Sequence, residues 1–199
     1  PQVIVNIGGV ANVTWLDAIG DPVAFDTGPG NALIDDFVAA RTGRAFDENG
    51  ALARAGRADE AVLKRLLDHP YFDRPPPKSL DRNAFSAEPV ASLGLEDGAA
   101  TLVAFTARSI AMAARDFPEP PVRFVISGGG RKNAAIMEAL KAALAAPVLP
   151  AEEAGWRGDD VEAEAFAYLA LRALKGLALS WPTTTGVPEA LTGGVIHQP

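Results

Sequence analysis

The run Gln2-Val3-Ile4-Val5-Asn6-Ile7-Gly8-Gly9-Val10-Ala11-Asn12-Val13-Thr14-Trp15-Leu16 decides the fold. Its first six residues are mostly β-branched and apolar and end at Gly8-Gly9, which is typical of a buried strand followed by a tight turn. Residues 10–16 have a second strand pattern, and residues 22–25 resume an extended segment after a polar turn. The opening of the chain is therefore predicted to be a three-stranded antiparallel meander.

Helix and strand patterns alternate after the meander. The segment Asp26–Asn31 is predicted to break the sheet, because Pro29 cannot continue a central strand. Residues 42–95, with Pro75-Pro76-Pro77 and a helical stretch near 59–67, are predicted to form a peripheral insert. The remaining patterns are helices at about 32–41, 97–114, 133–145 and 159–175, and strands at 122–126 and 148–150. This order predicts an α/β fold, a ribonuclease H-like mixed sheet flanked by helices.

Composition narrows the function classes. The chain has 199 residues, 48% of them hydrophobic, with 18 Lys+Arg against 25 Asp+Glu and a net charge of −7. The acidic balance argues against general binding of nucleic acid or of an anionic membrane. With no Cys and only His69 and His197, disulfide frameworks and thiolate zinc sites are excluded, which leaves a hard cation such as Mg²⁺ as the plausible metal. No apolar run is long enough to span a bilayer, so a cytoplasmic location is expected.

The start of the sequence also raises an expectation. Pro1 stands directly before the first strand pattern, and the only methionines are Met112 and Met137. We therefore expect these residues to be the C-terminal part of a longer protein.

Three glycine-rich turns carry most of the chemistry, and each follows a strand pattern: Asn6–Gly9, Asp26–Asn31 and Ser127–Asn133. Glycine lets backbone amides approach a phosphate without a Cβ in the way, and the two later turns open helices whose N-termini favour an anion. Any one such turn is also explained by tight-turn geometry alone. Neither later turn has the spacing of a dinucleotide fingerprint or of a P-loop, so the NAD and Walker-type classes are not supported.

Charged residues near these turns are candidates with two interpretations each. Asp26 could hold a hydrated Mg²⁺, or it could cap its own turn. Glu162 lies in an acidic helix start and could be a functional carboxylate, or it could only cap the helix, because its spacing from Asp159 matches a capping box. Lys78 stands on a proline-set loop and could meet a substrate carboxylate, or it could be a solvated loop cation.

Taken together, these motifs resemble the C-terminal lobe of the anhydro-N-acetylmuramic acid kinases, which belong to the superfamily of actin, hexokinase and the heat-shock chaperone ATPases. The resemblance runs through nearly the whole chain. The stretches that carry it are residues 6–12, 25–31, 70–72, 76–79, 106–110, 127–133 and 162–167.

The resemblance implies an ATP-dependent sugar kinase of peptidoglycan recycling, which opens the 1,6-anhydro ring of anhydro-N-acetylmuramic acid and phosphorylates O6. It implies ATP and Mg²⁺, with Asp26 at the metal and with Glu162 and Lys78 at the sugar. The implied ATP-binding residues are Asn6, Gly8, Gly9, Gly28, Gly30, Asn31, Gly128, Gly129, Gly130 and Asn133.

The resemblance further implies an N-terminal lobe that supplies the general base, so no catalytic residue is assigned within these 199 residues and we expect them alone to be inactive. A homodimer is implied as well. A non-catalytic nucleotide-binding lobe of the same superfamily is the competing function, and a domain that binds some other anion is a third.

Overall fold

A five-stranded mixed sheet forms the centre of the molecule. The structure, a computed structural model, describes residues 1–195 and 197. The strands are β1 (Gln2–Ile7), β2 (Val10–Leu16), β3 (Val23–Pro29), β4 (Phe124–Ser127) and β5 (Val148–Pro150). Their order is β3-β2-β1-β4-β5, in which β2 is antiparallel to its neighbours and β4 and β5 are parallel to β1. This is the ribonuclease H-like arrangement that the sequence predicts.

The third strand is longer than predicted. β3 does not stop at residue 25 but continues to Pro29, so Asp26 lies inside a strand instead of in a turn after it. Pro29 is tolerated there because β3 is the edge strand, where a missing amide costs no ladder bond on the open side. The pairing with β2 also shifts register between Ala11 and Asn12, which is a local irregularity that sequence periodicity does not reveal.

The helices are α1 (Ala32–Thr42), α2 (Ala51–Ala55), α3 (Glu60–Leu67), α4 (Leu95–Met112), α5 (Ala134–Ala143), α6 (Val161–Leu174) and α7 (Pro182–Thr185). α4 is the central helix, and its buried residues Leu102, Phe105 and Ile110 join one core with one face of the sheet. That face consists of the fully buried residues Val3, Val5, Ile7, Ala11 and Val13. Alternating inward and outward residues of β1 and β2 make this face apolar, as a half-buried strand requires.

The segment 42–95 contributes to the same core. Val62, Leu63 and Leu66 of α3 are buried with Tyr71 and Phe72 of the following turn. The start of α3 is fixed by Asp59, whose carboxylate accepts hydrogen bonds from the amides of Ala61 and Val62.

The opposite face of the sheet carries the polar residues Asn6, Asn12, Thr14 and Ser127 beside Ile4, and the start of α6 faces it. No residue of α6 is buried, although its small residues predict close helix packing. Among the described residues, no helix combines the length and the hydropathy that crossing a bilayer requires.

Candidate functional site

The hairpin turn between β1 and β2 is joined directly to the start of α1. The amide of Asn31 donates to the Gly8 carbonyl at 2.7 Å, and the amide of Gly30 donates to the Gly9 carbonyl at 3.0 Å. The Asn31 side chain donates to the Ile7 carbonyl at 3.3 Å. A Cβ at Gly30 would overlap the Gly8 carbonyl oxygen, so this close approach requires glycine. Two of the predicted turns therefore form one unit.

The third turn packs on the same hairpin. Gly128 has a φ of +73°, and a Cβ there would stand 2.5 Å from Asn6 Oδ1. A Cβ at Gly130 would overlap the Ile7 side chain, and one at Gly129 would lie 3.4 Å from Asn31 Nδ2. The structure thus brings all three glycine turns together at the edge where β1 and β4 end. Gly28 is different, because it faces α4, where a Cβ would stand 2.6 Å from Ser109 Oγ.

The backbone amides at this junction fall into two groups. Those of Gly30, Asn31 and Ala32 already donate to the hairpin carbonyls, so these amides at the start of α1 are not available to bind an anion. Within residues 1–195, the amides of Gly9, Gly128 and Gly129 donate to no protein acceptor. These are the donors that a phosphate group could use.

A cleft of about 400 Å³, the α6 cleft, separates the polar face of the sheet from the start of α6. Glu162 lines it from the helix, and Asn6, Asn12, Ser127 and Gly129 line it from the sheet and the glycine turn. The capping interpretation of Glu162 is wrong, because α6 has no side-chain cap and Asp159 pairs with Arg131 instead. Within the described part of the chain, the Glu162 carboxylate has no ion-pair partner. It is therefore available to a ligand in the cleft.

Polar side chains cross the sheet in one row beneath this cleft. Asn6 is in register with Ser127 on one side and with Asn12 on the other, and Asn12 is in register with Asp26. Residues in register point to the same face, so Asp26 ends this row, although it lies outside the residues that line the cleft. Its carboxylate accepts a hydrogen bond from the Leu80 amide at 2.7 Å, and burial raises its pKa.

The carboxylate of Asp26 suits a cation that takes most of its ligands from waters and from a bound substrate. Among the described residues, no group of three His, Cys, Asp or Glu side chains could hold a metal ion. Mg²⁺ commonly takes one or two carboxylates and completes its shell with waters and substrate phosphates. Asp26 fits that minimal role, because one of its oxygens is engaged by Leu80 and the other is free of that bond.

A second cleft of about 420 Å³, the α1 cleft, lies on the other side of the glycine turn. It is lined by Asn31, Asp35, Phe46, Asp47, Glu48, Asn49, Gly129, Lys132 and Asn133, so Gly129 borders both clefts. Asn133 also caps α5 by accepting a hydrogen bond from the Ile136 amide at 3.2 Å.

Asp35 is a candidate that sequence reasoning missed. Burial, together with the neighbouring Asp36, raises the pKa of Asp35 to about 6. A carboxylate with a raised pKa beside a cleft is typical of functional sites. The signal in the sequence was the position of Asp35 in the first turn of the helix that follows the Asp26–Asn31 segment, four residues after Asn31.

Arg131 holds the glycine turn against the segment that precedes α6. Its guanidinium donates to the Gly128 carbonyl at 2.8 Å, to Glu152 at 2.8 Å and to Asp159 at 2.7 Å. Hydrogen bonds from Lys132 and Arg131 lower the pKa of Asp159 to about 2, and the Arg131 bond lowers the pKa of Glu152. These acidic residues therefore stay ionised under ordinary conditions.

Lys78 is placed away from both clefts. Its ammonium is buried and donates to the carbonyls of Arg74 at 2.9 Å and Phe72 at 3.4 Å. Burial lowers its pKa, and the Tyr71 ring lies 5.1 Å away. The solvated-loop interpretation of Lys78 is therefore wrong, and the structure does not bring Lys78 together with Glu162.

Comparisons with known proteins identify relatives over the whole chain. The family model described as "Anhydro-N-acetylmuramic acid kinase" matches residues 1–199. Proteins of that name from Rhodospirillum rubrum, Acidiphilium cryptum and Caulobacter vibrioides are 60%, 58% and 58% identical, over 98%, 100% and 98% of this chain. The matches cover 52%, 56% and 53% of those proteins, so the chain spans about half the length of the curated relatives it matches.

One solved structure is more distant. The activator of 2-hydroxyisocaproyl-CoA dehydratase from Clostridium difficile with bound ADPNP is 16% identical and covers 75% of this chain and 53% of its own. Its TM-score of 0.46 is too low to support an argument. The evidence for family membership is the whole-length family match together with the relatives that are 52–60% identical, and on it the chain belongs to the anhydro-N-acetylmuramic acid kinase family.

Proposed function

We propose that this chain is the nucleotide-binding part of an enzyme that uses ATP to convert anhydro-N-acetylmuramic acid into N-acetylmuramic acid 6-phosphate, a reaction of peptidoglycan recycling. The observation that carries the proposal is the junction of the three glycine turns between two clefts, in a chain of this family. Because both clefts reach Gly129, a nucleotide in one can extend its terminal phosphate toward a sugar in the other.

The nucleoside is proposed to occupy the α1 cleft. Phe46 is 56% exposed at its rim and offers a ring on which a base can stack. Asp35 offers a carboxylate that can accept hydrogen bonds from ribose hydroxyls. The phosphates would then lie at the unused amides of Gly9, Gly128 and Gly129, where fixed donors stabilise the charge of a transferring phosphoryl group.

The sugar is proposed to occupy the α6 cleft, with Glu162 accepting a hydrogen bond from it. Water would lose a proton to a base and add to the anomeric carbon, the bond from that carbon to O6 would break, and O6 would take the terminal phosphoryl group of ATP as ADP leaves. The Asp26 carboxylate would hold the Mg²⁺ that accompanies the nucleotide, and that ion would supply neutralisation of phosphate charge.

The remaining parts of the machinery are proposed to come from outside these residues. The curated relatives are about twice as long, which supports a second lobe that completes the active site and provides the base for the attacking water. Closure of two lobes would exclude water that otherwise wastes ATP. Use of ATP implies a cytoplasmic site of action, and the homodimer stays a prediction that light scattering can check.

Mass spectrometry of the reaction tests this function. Anhydro-N-acetylmuramic acid is incubated with ATP and Mg²⁺, with the complete gene product in one sample and these 199 residues alone in the control. The expected product is heavier than the sugar by one phosphoryl group and one water, and only the complete protein forms it. Nucleotide binding without any product would instead support the non-catalytic lobe.

A further inference from the structure

The position of Glu162 depends on very few contacts. α6 carries it in the first turn, yet the apolar side chains of α6 remain open to solvent, with Phe166 67% and Leu174 62% exposed. The helix is therefore not held over the sheet by a packed core. The segment just before Val161 holds its start, whereas the chain after α6 is attached to β3 through α7, whose Thr183 hydroxyl donates to the Pro22 carbonyl at 2.7 Å.

That segment is anchored through Arg131. The Arg131 side chain is only 4% exposed, whereas its partners Glu152 and Asp159 are 53% and 68% exposed. One planar guanidinium therefore joins three acceptors in fixed directions: the Gly128 carbonyl, Glu152 and Asp159. Asp159 is three residues before Glu162 in the chain.

The backbone at Gly158 is pressed against the same group. A Cβ at Gly158 would overlap Arg131 Nε and Glu152 Oε1. The backbone just before α6 thus contacts Arg131, which belongs to the glycine turn. A displacement of the helix start therefore strains the turn, and a displacement of the turn strains the helix start. Gly128 contributes both its carbonyl, which Arg131 binds, and its amide, which donates to no acceptor among the described residues and is available to a phosphate.

We infer that Arg131 is a positioning residue that couples the glycine turn to Glu162, so that nucleotide and sugar strengthen each other's binding. The inference rests on the proposed function, because it assigns the nucleotide to one end of this contact and the sugar to the other. A phosphate that orders the Gly128 turn also orders Arg131, and through Asp159 it fixes the start of α6. By thermodynamic linkage, sugar on Glu162 must then tighten nucleotide binding by the same factor.

Calorimetry on the complete gene product measures this coupling. The dissociation constant of anhydro-N-acetylmuramic acid is determined with and without the β,γ-imido analogue of ATP, in the presence of Mg²⁺. We expect the nucleotide to tighten sugar binding by about 5-fold or more in the native protein. In Arg131→Met the ratio should fall to within about twofold of unity, since Met has no donor for the three acceptors.

Two further variants separate positioning from folding. Asp159→Asn alters an exposed side chain, keeps the fold and should lose part of the coupling, which keeps the inference testable if Arg131→Met fails to fold. Arg157→Met is the matched control, because Arg157 pairs with Asp160 and Glu164 at the same helix start but does not touch the glycine turn. It should leave the ratio unchanged.

The possible outcomes separate the coupling from the proposed function. A native protein that binds both ligands with a ratio near unity overturns the coupling and leaves the proposed function intact. Folded Arg131→Met or Asp159→Asn with the native ratio does the same. A native protein that binds neither ligand overturns the proposed function and the inference with it.

Discussion

Gly30→Ala tests the junction of the glycine turns most sharply. The added Cβ would overlap the Gly8 carbonyl oxygen and would stand 3.0 Å from the Val10 carbonyl carbon and 3.2 Å from the Ala11 amide nitrogen. All three atoms belong to the backbone, so no flexible side chain can move aside. The hairpin and the start of α1 must therefore separate, and the bond from the Asn31 amide to the Gly8 carbonyl at 2.7 Å must lengthen.

The expected cost follows from overpacking. Inserting a methyl group into a closely packed region destabilises a protein by about 1–3 kcal/mol. For a domain of this size, about 2 kcal/mol lowers the melting temperature by roughly 4–8 °C. Differential scanning calorimetry measures that shift, and hydrogen exchange at Asn31 reports whether the junction itself has opened.

Gly94→Ala is the matched control. A Cβ added at Gly94 would have no atom within 4 Å, and the φ of Gly94 is an ordinary −59°. Because Gly94 is the N-cap of α4 and Ala is a poorer cap, its change should cost at most about 1 kcal/mol and should leave the exchange rate at Asn31 native. If Gly30→Ala melts with the native protein and keeps the native exchange rate at Asn31, the reasoning about this close approach is refuted.

Three other substitutions have distinct expected results. Glu162→Gln should lower sugar turnover at least about tenfold while the free energy of unfolding stays within about 0.5 kcal/mol, since Glu162 caps nothing; a large loss of stability in denaturant titration would contradict this. As the pH rises from about 4 to 6, the free energy of unfolding of Asp35→Asn should increase relative to that of the native protein, on the order of 1 kcal/mol after allowance for solvent screening. The sign follows because the raised pKa of Asp35 makes its ionisation costly in the folded state, and equal urea midpoints across that window would contradict it. Lys78→Met should destabilise the chain by about 1 kcal/mol, because the hydrogen bonds from the ammonium to the Arg74 and Phe72 carbonyls are lost while Phe72 keeps Arg115 as a donor, and should leave the KM for sugar unchanged; a raised KM would show contact with substrate.

Sequence patterns were sufficient for β1, for its hairpin and for the positions of the close glycine turns, but not for the full length of β3. The β-branched run 2–7 and the glycine pair after it place β1 and its hairpin correctly, because burial on one face forces strict alternation. The turns at Gly30 and Gly128 are readable because only glycine tolerates such close backbone approach. That these turns touch one another depends on strand order, which local patterns do not contain.

Contacts distant in sequence account for what sequence patterns missed. The burial of Lys78 depends on carbonyls of the preceding turn and on the Tyr71 ring. Asp159 matches a capping box by spacing, yet Arg131, 28 residues earlier, takes its carboxylate. The pKa of Asp35 is raised by folding of the chain around it, and no periodicity reports that.

Amide chemical shifts test the central claim most directly. The ¹⁵N-labelled chain is titrated with ADP and Mg²⁺, and the backbone amides are followed one by one. We expect the largest shifts at Gly9, Gly128 and Gly129, which are the unused donors between the two clefts, and none at Gly43 or Gly94. Saturable shifts confined to other parts of the chain, or no saturable shift at all, would contradict a nucleotide site at the glycine turns.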